Sequence, residues 1–206
     1  MENREKRYNA SEIRLLPDDK GDTYVEGYAM VFNSPSQDLG GFVEIIEPTA
    51  LSEEIINGSD VFCYINHNEN NGVLARRRYG VGSLQLTIDD KGLKYRFKLG
   101  KSYHHQQLSE YLERGEIFGS SFAFTVADDQ WVKLEDGSYI RTIKRFEKLY
   151  DVSPVFEPAY LETEVALRSL EKIKTKELEQ QKEKEKKAEE LRNYFVELKK
   201  TYSYDN

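Results

Sequence analysis

Apolar and polar residues alternate in short runs along the first three quarters of the chain, then give way to a long stretch nearly devoid of apolar positions. Alternation with a period of two, rich in β-branched and aromatic residues, marks half-buried strands. It predicts strands over residues 24–32, 42–46, 61–65, 83–88, 93–98, 120–126, 130–134 and 139–149. The runs Asp89-Asp90-Lys91-Gly92 and Glu135-Asp136-Gly137-Ser138 read as hairpin turns, because Asp and Gly accept the positive φ of tight turns. Two helices interrupt the strands. One covers residues 49–56 behind Pro48, a residue suited to a helix start. The other covers 102–114, with Ser102 as N-cap, Leu108, Tyr111 and Leu112 as its apolar positions and Gly115 as its stop. Antiparallel hairpins with a few interposed helices predict an α+β domain, mainly an antiparallel β-barrel, closed or nearly closed, with surrounding helices.

The texture changes near Leu170. Over 161–201 the residues are strong helix formers. Apolar positions gather at the two ends, at Leu167, Leu170 and Ile173 and again at Leu191, Tyr194, Phe195 and Leu198. Between them, 174–190 is almost wholly charged or Gln, and no sustained heptad supports a coiled coil. The division expected is therefore a domain over 1–169 and a charged helical tail over 170–206. The tail reads either as a solvated helix ending in disorder or as a partner-binding helix using Leu191, Phe195 and Leu198.

Composition narrows the classes. The 206 residues suffice for one sizeable core, and no run approaches the roughly 20 apolar residues of a membrane span. A polar N-terminus with no apolar stretch behind it argues against a secretory signal. A single cysteine, Cys63, excludes an internal disulfide and fits a reducing compartment, so a cytoplasmic protein is expected. The net charge of -7 opposes a general nucleic-acid footprint, and Arg76-Arg77-Arg78 reads as a solvated loop in preference to a basic patch that contacts an anionic partner.

The three histidines, His67, His104 and His105, lack metal-ligand spacing, and the adjacent pair would point about 100° apart on a helix. Phosphate-binding glycine loops are also absent from the sequence, so no cofactor is implied. Cys63 and His67 cannot act as nucleophile and base along one strand, because four residues span about 13 Å. Cys63 is better read as a small core residue. Alternation places Val61, Cys63, Ile65 and His67 on one face, leaving His67 at the end of an apolar stripe beside Asn66 and Asn68. There it is a candidate general base or a structural histidine. The segment 119–126 gives a candidate nucleophile by the same logic. Ser120, Phe122, Phe124 and Val126 take the core face, which leaves Ser121 on a smaller, open one behind Gly119. No acid is singled out by pattern.

Several segments together resemble the prohead (capsid-maturation) proteases of tailed bacteriophages. They are Val25-Glu26-Gly27-Tyr28-Ala29-Met30-Val31-Phe32-Asn33-Ser34 and Gly41-Phe42-Val43-Glu44-Ile45-Ile46-Glu47-Pro48. Asn66-His67 with Val73-Leu74-Ala75-Arg76, then Gly119-Ser120-Ser121-Phe122-Ala123-Phe124, follow in the family's order. Asp151-Val152-Ser153-Pro154-Val155, running into Pro158-Ala159-Tyr160, completes the set, which spans about residues 10–168. The resemblance implies a serine endopeptidase related in fold to the herpesvirus assembly proteases. It places the family's histidine on His67, its serine on Ser121 and its acid on Asp151, with Glu157 as a rival acid. Arg76 would assist backbone N–H groups at the oxyanion. Asn68, Ala75 and Thr49 depart from the family pattern without touching the Ser–His pair. The implied substrates are the scaffold segment of the major capsid protein and the protease itself, cut inside the prohead in the host cytoplasm. A homodimer is a fair expectation; membrane and direct nucleic-acid partners are not. The competing reading is a catalytically silent scaffold or assembly protein that keeps a protease-like fold.

Overall fold

The computed structural model describes residues 4–9, 13–156 and 164–202. The chain divides into two compact units, Met1–Thr163 and Glu164–Asn206. The first unit opens with strands β1 (Glu5–Asn9), β2 (Arg14–Pro17), β3 (Thr23–Val31) and β4 (Phe42–Ile46). A 3-10 turn at Pro48–Ala50 leads to helix α1 (Glu53–Asn57) and strand β5 (Asp60–Cys63). Strands β6 (Ala75–Arg78), β7 (Val81–Gly82), β8 (Gln85–Ile88) and β9 (Gly92–Lys98) follow. Helix α2 (Tyr103–Glu113) precedes the two longest strands, β10 (Gly119–Lys133) and β11 (Tyr139–Val155).

The α+β class holds, but the described strands form two open sheets and not a closed barrel. One has seven strands, in the order β1-β10-β11-β5-β6-β7 with β4 also on β11; the other runs β2-β3-β9-β8. The long β11 explains the difference. It pairs antiparallel with β10 on one side, while its other side takes β4 along 139–143 and then β5 at Asp151, both parallel. The parallel neighbours were not legible as such, because hairpin turns report only antiparallel partners. Residues 120–126 and 130–134 are one strand, broken in register between Ala123 and Asp129 by bulges that interrupt the alternation.

Side chains from both sheets share one core, including Val25, Tyr95 and Phe97 from one and Phe122, Phe124 and Phe146 from the other. Phe124 and Phe146 meet edge to face at 5.0 Å. The expected helix over 49–56 is divided. Leu51 is extended and buried, and Ser52 restarts the helix by accepting the Ile55 N–H at 3.3 Å. Gly115, at φ +70, ends α2 as expected, although the Ser102 side chain makes no cap bond.

Two elements come from segments that read as polar. The arginine cluster expected to be a solvated loop is β6, an inner strand paired with β5 and β7. At the other edge, β1 is held by a buried ionic network. Arg7 bonds Glu44 through Nε at 2.9 Å and Nη2 at 2.8 Å, and Nη2 also reaches Glu5 at 2.5 Å. Arg141 bridges the same carboxylates, donating to Glu5 at 2.6 and 2.9 Å and to Glu44 at 2.9 Å. All four side chains are buried, so each charge is compensated where water cannot reach it.

In the second unit, α3 (Glu164–Tyr202) is one long helix. Its middle is laced by pairs such as Lys187–Glu183 at 2.7 Å, four residues apart, and Leu191, Tyr194, Phe195 and Val196 are exposed. Among the described residues, no helix is long and apolar enough to cross a membrane.

Candidate active site

Three strands and one loop build the site. Beyond β5 the chain leaves the sheet and turns through Asn66 (φ 57) and His67 (φ 55), two consecutive left-handed residues without glycine. Such a conformation costs about 1–2 kcal/mol per residue, so the loop must be held from outside. The Asn66 N–H donates to the Pro154 carbonyl of β11 at 2.9 Å, and the Leu74 N–H closes the loop base on Cys63 O at 2.9 Å. Asn68, which stands where the related motif has Asp, accepts the Asn70 N–H at 3.0 Å and caps the following 3-10 turn. Either residue can perform that capping.

The turn delivers His67 to β11. Its Nδ1 donates to Asp151 Oδ1 at 2.5 Å, with the imidazole 5% and the carboxylate 12% exposed. His67 Nε2 is buried and, among the described residues, has no hydrogen-bond partner. A carboxylate on Nδ1 fixes the tautomer that leaves Nε2 free to accept a proton. Ser153, two residues along β11, donates to the same Asp151 Oδ1 at 2.8 Å.

Ser121 lies on β10, directly opposite Ser153, while its neighbour Ala123 is opposite Asp151. Directly opposed residues project to one side of the sheet, so Ser121, Ala123, Asp151 and Ser153 share a face. The open surface expected around Ser121 is in fact covered, since Ser121, Ala123 and Thr125 are all buried. The β1 strand runs along that edge of β10, with Tyr8 opposite Ser121. The Ser121 hydroxyl donates to the Arg7 carbonyl at 2.8 Å. Ser120, on the opposite face, is bonded to the Tyr95 hydroxyl at 2.9 Å inside the core.

A cleft of about 780 Å³ opens over His67 and Asp151, its wall including Phe62, Tyr64, Tyr150, Ala123, Arg4 and Lys6. Arg76, expected to help an oxyanion, instead lies over Phe62 at 4.3 Å and grips Asp60 through two bonds of 2.7 and 2.5 Å. That grip holds the Asp60 carboxyl below its ordinary pKa. Cys63 is fully buried, and burial pushes its thiol well up, which suits a core residue and not a nucleophile. His105 accepts the Gly100 N–H on Nδ1, and burial lowers its pKa. Among the described residues, no cluster of three His, Cys, Asp or Glu side chains could hold a metal ion. Glu157, the rival acid, lies outside the described residues, as do Pro158, Ala159 and Tyr160.

The structure thus brings together a buried imidazole, the carboxylate that orients it and a strand pair carrying serines. The family profile of the caudovirus prohead serine proteases matches residues 10–180. The chain belongs to that family, and its role lies in phage capsid maturation. Among solved structures, the bacteriophage T4 capsid assembly protease, gp21, is similar at 13% identity and a TM-score of 0.44, covering 74% of this chain and 99% of that one. No match was found among curated proteins.

Proposed function

We propose that this chain is a serine endopeptidase that cuts the scaffold segment of the major capsid protein, and itself, inside the prohead in the host cytoplasm. Ser121 attacks the scissile carbonyl, His67 Nε2 takes the hydroxyl proton, and Asp151 stabilises the imidazolium that forms. His67 then returns that proton to the leaving amine, and water hydrolyses the acyl-enzyme by the same route. The observation that carries this reading is the His67–Asp151 bond with Nε2 left unpartnered. For the first step, Ser121 Oγ must leave the Arg7 carbonyl and turn toward Nε2.

That last contact also favours the second reading, a silent assembly protein whose serine is occupied by its own backbone. Co-expression with the major capsid protein of the same phage, followed by intact mass, separates the two. Cleavage in the wild type that vanishes in Ser121→Ala supports the protease. Shells that assemble with no cleavage in either sample support the silent chain, and equal cleavage in both removes Ser121 from the mechanism.

A further inference from the structure

One side chain bonded to the His67–Asp151 pair, Ser153, has no part in the mechanism proposed above. It is fully buried. Its hydroxyl donates at 2.8 Å to Asp151 Oδ1, the oxygen that also receives His67 Nδ1. The Ser153 oxygen in turn faces the Tyr64 N–H at 3.4 Å, and Tyr64 leads into the loop that carries His67. One residue further, Pro154 O accepts the Asn66 N–H. Adjacent positions on β11 therefore fix both the stem of the histidine loop and the carboxylate that the histidine meets.

We infer that Ser153 is a positioning residue: its hydroxyl sets the Asp151 carboxylate in the orientation that engages His67. The inference rests on the reading of the site given above. Torsion about the last bond of an Asp side chain is broad, so a single partner leaves the carboxylate rotationally loose. A second donor on the same oxygen, itself buried and anchored to the backbone, narrows that freedom. Analogous supporting donors around metal-bound histidines are worth about ten- to hundredfold in activity. The register adds a size requirement. Ser153 faces Ser121 across the strand pair, where Cβ atoms stand about 4.5–5.5 Å apart, so a bulky residue at 153 would crowd the nucleophile.

The test uses the full chain and two readouts. In proton NMR, the His67 Nδ1–H resonance is assigned by its loss in His67→Gln. Ser153→Ala should shift or broaden that resonance while the melting temperature stays within a few degrees, and Ser153→Thr should restore it. An unmoved resonance in folded Ser153→Ala overturns the proposal, whether or not the chain proves to be a protease. With the capsid protein's scaffold segment as substrate, Ser153→Ala should lower kcat about ten- to hundredfold with KM unchanged. An unchanged kcat in folded Ser153→Ala, or a loss carried by KM alone, would likewise overturn it.

Discussion

His67 Nδ1 and Asp151 Oδ1 lie 2.5 Å apart, although the two residues are 84 positions apart in the chain. The contact is made because the left-handed turn at 66–67 is tied to β11 itself. Asp151→Asn keeps the volume but removes the charge, and its amide can donate to Nδ1 and impose the wrong tautomer. Cleavage of the capsid protein by Asp151→Asn should fall by about 10⁴-fold with the fold intact. A first-order rate within tenfold of wild type would take Asp151 out of the mechanism.

Ser120 and Ser121 are adjacent yet serve opposite faces of β10. Burial raises the Tyr95 pKa, so its hydroxyl stays neutral and paired with Ser120 inside the core. Ser120→Ala strands that hydroxyl and should lower stability by about 1–3 kcal/mol in urea titrations. Its cleavage rate should stay near wild type. A folded Ser120→Ala chain that cannot cleave would transfer the nucleophile's role from Ser121.

The network holding β1 carries a pH signature. Burial alone would raise the Glu5 pKa, but the hydrogen bond and charge of Arg141, joined by Arg7, bring it below the ordinary 4.5. A carboxyl with a depressed folded pKa stabilises fully above its unfolded value and loses that contribution as pH falls through its folded value. Glu5→Gln leaves Arg7 and Arg141 short of one carboxylate and should cost about 3–5 kcal/mol at neutral pH. The difference between wild type and Glu5→Gln should then shrink below about pH 4.5. Denaturant unfolding at pH 7, 5, 4 and 3 reads it, and a constant difference would show that Glu5 is not the titrating group.

Much of this architecture could be read from local pattern, and the exceptions share a cause. Strands with an apolar face, such as β3, β4 and β9, announced themselves, as did the hairpin turn in which Asp136 Oδ1 accepts the Ser138 N–H. The β1 and β6 strands did not, because the inward positions of β1 are Glu5 and Arg7, and Arg76 of β6 is paired with an acid of the neighbouring strand, Asp60. Charge compensation is a property of the folded neighbourhood, and alternation cannot report it. The same limit applies to the site. His67 stood out at the end of an apolar stripe and Ser121 on the small face of its strand, whereas Asp151 came only from family resemblance. The role of Ser153 was not legible because it depends on the approach of Tyr64 and the His67 loop to β11, which alternation along one strand cannot report. The covering of Ser121 was hidden because β1, which runs beside it, is itself a polar strand that alternation does not announce.

The helix α3 offers a separable test of incorporation into the shell. Between Ile173 and Glu197 almost every residue is exposed, and Leu191, Tyr194 and Phe195 form an apolar group in a charged setting. Ending the chain after Ile173 removes exposed surface and should change the stability of the first unit by no more than about 0.5 kcal/mol. The amount of protease recovered in purified proheads should drop sharply, while cleavage of the free scaffold segment in solution continues. A second variant, Leu191→Ser with Phe195→Ser, keeps the charged stretch and removes only the apolar group. Loss of incorporation in both variants would assign recognition to the apolar group, whereas loss in the truncation alone would assign it to the charged stretch. Normal incorporation of the truncated chain would show that α3 beyond Ile173 has no part in packaging.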